Sequence, residues 1–79
     1  MKGMLMSNDT TERVYEFILF YMEAHNGLAP SQREIAEACF LVRSAVLRHL
    51  DRLEAWGRII RESGKARSIR LPSEIIETA

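Results

Sequence analysis

Arginine carries most of the chemical reach in this 79-residue sequence, and its placement poses the first question. Arg43, Arg48 and Arg52 stand with Ser44 and Leu47 in the stretch RSAVLRHLDRL. A guanidinium is planar, permanently charged and forked, so it meets a phosphate or the O6/N7 edge of a guanine with two donors at once. Ser44 adds a hydroxyl for a base or phosphate, and Leu47 an apolar surface suited to a thymine methyl. Ser31, Gln32 and Arg33 form a second group, at a helix start whose exposed N–H groups attract an anion. Arg61, Lys65 and Arg67 form a third, around Gly64, which lets the backbone come close to a phosphate chain.

Each group also has a plainer reading. Arg48 and Arg52 are spaced to pair with Asp51 or Glu54 along a solvated helix face. Ser31 is an ordinary helix cap, a role compatible with holding an anion. Charges that alternate along a strand, as at Arg61 and beyond, blunt its edge against aggregation. Arg58 and Arg70 fit that protective role better than Lys65 and Arg67 do.

Little else in the chain does chemistry. His25 and His49 have no second ligand at metal spacing. No serine sits in a nucleophile elbow. Cys39 is the single cysteine, which excludes a disulfide framework or a cysteine-based zinc site and suits a reducing compartment. Its expected role is that of a small apolar residue beside Phe40. No enzyme activity, metal, cofactor or small-molecule substrate is expected.

The elements that must carry these groups follow from periodicity and punctuation. A first helix is predicted from about Thr11 to Asn26, with Val14, Ile18, Tyr21, Met22 and His25 on one face and Asn26-Gly27 as its stop. Ser31 and Glu34 match the reciprocal capping box that opens a second, short helix. Ile35, Ala36 and either Cys39 or Phe40 turn inward there, and the helix ends near Cys39. A third helix runs from about Arg43 to Trp56 with Val46, Leu50 and Leu53 buried and Gly57 as its C-terminal glycine. The period then changes to that of strands, residues 59–62 and 67–71, which read as a hairpin closed by a glycine-containing loop. Residues 1–9 are expected to precede the domain as a flexible segment, 10–71 to form it, and 72–79 to be a tail.

The size allows one domain with a thin core. Eleven basic residues balance eleven acidic ones, which excludes a uniformly basic nucleic-acid binder. The balance is not local: residues 1–30 carry a net −2, 31–57 are neutral, 58–71 carry +4 and 72–79 carry −2. The longest apolar run, Phe17 to Met22, is far short of the ~20 residues of a membrane span. The start has no secretory signal.

A short helix, a tight turn, a longer helix and a basic hairpin, in that order, define a winged helix-turn-helix, mainly α with a small β-hairpin. GLAPSQREIAEAC, RSAVLRHLDRLEAWGRI and ESGKARSIRL resemble the N-terminal DNA-binding domain of LexA-type repressors, over about Val14 to Leu71. The resemblance implies a three-helix winged helix-turn-helix that binds operator DNA as a dimer. The chain ends at residue 79, so the family's self-cleaving Ser-Lys protease and dimerisation domain is expected to be absent. The stretch from Val42 to Arg48 also lacks the paired glutamates of the family's reading surface, so no operator sequence carries over.

The expected function is sequence-specific binding of double-stranded DNA by a small cytoplasmic, nucleoid-associated regulator. The third helix would read the major groove and the wing would hold the backbone. The alternatives are a winged-helix protein–protein module and a DNA-binding accessory factor in replication or recombination. Leu19, Phe20 and Trp56 are apolar where a monomer would prefer charge. They form either a homodimer or partner patch, or a set of surface residues, some lying under Met4, Leu5 and Met6.

Overall fold

A computed structural model describes residues 6–62 and 68–72. Three helices, α1 (Met6–Ala24), α2 (Gln32–Cys39) and α3 (Arg43–Ala55), are followed by strands β1 (Ile60–Arg61) and β2 (Ile69–Arg70). The strands pair antiparallel, Ile60 opposite Arg70 and Arg61 opposite Ile69, and Glu62 N–H donates to the Ser68 carbonyl at 3.2 Å just beyond them. Three helices with a two-stranded hairpin after the third constitute the expected fold class. α1 begins at Met6, inside the segment expected to precede the domain.

Each helix ends in the same way. The N–H of Gly27 donates to the Met22 carbonyl, that of Leu41 to Ala36 and that of Arg58 to Leu53, at 2.7, 2.9 and 2.9 Å. Such a six-residue closure requires a left-handed residue just before the donor. Asn26 (φ 57°), Phe40 (φ 58°) and Gly57 (φ 78°) fill that position. Asparagine and glycine do so readily, whereas a bulky aromatic does not. The left-handed backbone turns Phe40 into solvent, 89% exposed, while Cys39 is half-buried against the core. Of the two residues expected to face inward at the end of α2, Cys39 is the one that does.

The capping box at α2 is complete: Glu34 N–H donates to Ser31 Oγ at 3.1 Å, and Ser31 N–H to Glu34 Oε1 at 2.9 Å. The core joins Val14, Ile18 and Met22 of α1, Ile35 of α2, and Val46, Leu50 and Leu53 of α3 to Ala29, Ile59 and Ile69. Ile59 and Ile69 are the buried apolar side chains that join the hairpin to the helical core, with Leu71 packed against it. Two expectations for α1 need correction. His25 lies past the helix end, exposed, with its ring stacked on Tyr21 at 3.8 Å and its Nδ1–H donating to the Tyr21 carbonyl. Leu19, expected on the outer side, is half-buried.

Candidate nucleic-acid interface

α3 is held to α1 by a polar contact that no apolar periodicity reveals. Thr11 is fully buried, and its Oγ1 lies 2.8 Å from His49 Nδ1 while Arg52 Nη1 donates to it at 3.3 Å. Burial lowers the His49 pKa, and the charges of Arg52 and Arg48 lower it further. Arg52 therefore spends one of its donors on α1 rather than on the outward face of α3.

The outward face of α3 is otherwise as expected. Arg43, Ser44, Leu47, Arg48 and Asp51 are all exposed. Among the described residues, neither Arg43 nor Arg48 pairs with a carboxylate, so the plainer alternative of helix-face pairing for Arg48 does not occur there. Val42 opens the helix without a side-chain cap, which leaves the first N–H groups of α3 beside Arg43 without a side-chain acceptor. At α2, Ser31 and Gln32 are half-buried, and Arg33 is exposed and lies 3.8 Å from Glu37 one turn on. Side chains this exposed share a weak pair, so Arg33 remains available to an anion.

Asp51 and Glu54 are held by Arg61, which reaches across from β1. Its Nε and Nη2 donate to Glu54 Oε1 at 3.2 and 3.0 Å, and Nη2 also donates to Asp51 Oδ1. Burial pulls the Arg61 pKa down, but the hydrogen bonds and charges of Asp51 and Glu54 outweigh it and raise it above its ordinary value. Arg58 and Arg70 are paired as well. Arg58 sits 3.3 Å from Glu12 and 4.8 Å above the Tyr15 ring, and Arg70 donates to Glu62 at 2.8 Å. Glu62 is already counted in the net +4 of residues 58–71, so Arg58 and Arg61, paired with acids outside the stretch, offset about half of that charge. Lys65 and Arg67 lie outside the described residues.

Trp56 and Leu19 meet in a shallow surface depression that Tyr15, Arg58, Leu71 and Pro72 also line, whereas Phe20 stands apart from it, 67% exposed. Cys39 packs as expected, its thiol pushed up in pKa by burial against a smaller downward pull from Arg13. Among the described residues, no cluster of histidine, cysteine or carboxylate side chains is arranged to hold a metal ion. No helix of the described residues is long and apolar enough to cross a membrane.

A short capped helix, a tight turn, an outward arginine-bearing helix and a hairpin packed against its end place this protein in the winged helix-turn-helix class. A family model for the LexA DNA-binding domain matches residues 6–68, and the chain belongs to that family. The LexA repressors of Thermotoga maritima, Thermotoga petrophila and Thermotoga sp. strain RQ2 are each 41% identical to it over 69 residues, covering 85% of this chain. The chain spans 35% of the length of these relatives.

Proposed function

We propose that this protein binds double-stranded DNA sequence-specifically and acts as a transcriptional repressor in the cytoplasm, associated with the nucleoid. The observation that carries the reading is the division of charge on α3. Arg43 and Arg48 are exposed and, among the described residues, pair with no carboxylate, while the acids beside them are engaged by Arg61. In this reading the N-terminal half of α3 enters the major groove, with Arg48 and Arg43 on guanine edges, Ser44 on a base or phosphate and Leu47 on a thymine methyl. Ser31, Gln32 and Arg33 at the start of α2 meet the phosphate backbone, where helix N–H groups and the dipole favour an anion. Lys65 and Arg67, in the segment joining β1 to β2, supply sequence-independent phosphate contacts. Arg52 contributes indirectly, by fixing α3 against α1.

Selection of bound sequences from a pool of random duplexes, followed by a salt-titrated shift assay, tests this. The expected result is one enriched motif whose affinity falls with salt. Equal retention of all sequences would overturn specific recognition, and retention of none would overturn DNA binding.

A further inference from the structure

Asp51 presents a problem to any reading in which α3 enters a groove. It lies on the same outward face as Arg48, three residues on, and Glu54 follows three residues later. One helical turn is about 5.4 Å. Along the axis Asp51 is about 4.5 Å and Glu54 about 9 Å from Arg48. At physiological ionic strength charges act over about 8 Å, so Asp51 lies within range of the phosphates flanking the bases Arg48 would read and Glu54 lies at the edge of that range. Unmasked, they would repel the backbone beside the reading residues.

We propose that Arg61 is a positioning residue that masks Asp51 and Glu54, rather than a phosphate contact of the wing. This rests on the DNA-binding reading above and assigns Arg61 a different role within it. The geometry favours masking. The Arg61 side chain is 21% exposed, whereas that of Asp51, its partner, is 68% exposed, so the cation lies beneath the carboxylates it serves. Its donors already engage two acids spaced i, i+3 on α3. A planar guanidinium bridges two such acceptors at once, which a lysine ammonium on a flexible stem does less well. The same bridge fastens β1 to the last turns of α3, so masking and the setting of the hairpin against the helix come from one side chain.

A double-mutant cycle separates the roles. Affinities of the full chain are measured for a duplex enriched by the wild-type protein. Arg61→Gln is compared with the wild type, and again in an Asp51→Asn/Glu54→Gln background. Masking predicts a loss of roughly fivefold to tenfold in the wild-type background and under about twofold once the carboxylates are neutral. A direct phosphate contact predicts equal losses in both, with the slope of log K against log salt falling by about 0.9 each time. That second pattern overturns the proposal. If Arg61→Gln unfolds below the assay temperature, Arg61→Lys replaces it, with a smaller loss that again vanishes in the neutral background. A wild-type chain that enriches no duplex removes the specific-recognition reading on which this rests, and one that retains none removes DNA binding itself, outcomes distinct from equal losses.

Discussion

Phe40 occupies a backbone position that glycine or asparagine fills at the ends of the other two helices. A left-handed conformation costs a residue with a Cβ about 1–2 kcal/mol, and the exposed ring gains little burial in return. Phe40→Gly is therefore expected to stabilise the fold by about 0.5–1 kcal/mol after glycine's larger chain entropy is deducted. In a domain of this size that raises Tm by roughly 2–8 °C. A lower Tm in thermal unfolding would mean that the ring makes a stabilising contact. Arg48 is a residue of a different kind, exposed one turn into α3 and not held by any carboxylate among the described residues. Arg48→Ala should weaken binding to an enriched duplex by about 1–3 kcal/mol and relax the preference at one base position. Equal losses on enriched and random DNA would make Arg48 a phosphate contact instead. Apolar spacing made Val46, Leu50 and Leu53 legible as core, and polar spacing made Ser44, Leu47 and Arg48 legible as surface. Thr11 was not legible, because its burial depends on partners 38 and 41 positions away.

At the scale of elements, the ends of α2 and α3 were the most readable features, since capping is a local matter, whereas α1 starts at Met6 rather than near Thr11. Ser31 and Glu34 satisfy each other within one turn, and Gly57 ends α3 where a glycine was expected to. The pairing of the basic stretch was far less readable. Arg58 meets Glu12 and Arg61 meets Asp51 and Glu54, contacts that exist only once the hairpin has packed against α1 and α3. The α1–α3 contact gives the domain a pH dependence whose sign follows from His49. Its folded-state pKa is lowered, so the unfolded chain takes up a proton that the folded protein resists. Stability from this group is thus present above the ordinary imidazole value and declines as pH falls below it. Thermal unfolding from about pH 7.5 to about pH 5.5 should show a larger drop in Tm for the wild type than for His49→Gln. Identical drops would remove His49 from the account. For the hairpin, Lys65→Ala with Arg67→Ala should lower affinity for all sequences alike and reduce the salt slope by about two units, roughly 0.9 per lost phosphate contact. An unchanged slope would mean that these side chains do not reach the backbone.

The whole molecule is small, with a longest extent of 40 Å and a radius of gyration of 12.6 Å. One turn of DNA is about 34 Å, so a single copy covers about one half-site, and we propose that two copies act together on a two-half-site operator. Phe20 is the exposed apolar side chain of α1 most suited to such a contact, since Leu19 is already half-buried with Trp56 in its own depression. Sedimentation should show two wild-type chains on a two-half-site duplex and weaker pairing for Phe20→Glu. A wild type that stays monomeric, both free and with that duplex, would overturn the proposal. Trp56 has a consequence of another sort. It is the sole tryptophan of the chain, it stands where α3 gives way to the hairpin, and it borders Leu71 and Pro72 on the far side of β2. Its indole is half in water and half against apolar neighbours, so its emission colour follows the seating of the returning strand. The protein thereby carries its own fluorophore at the junction between α3 and the hairpin, and hairpin detachment is expected to be visible optically without any attached dye.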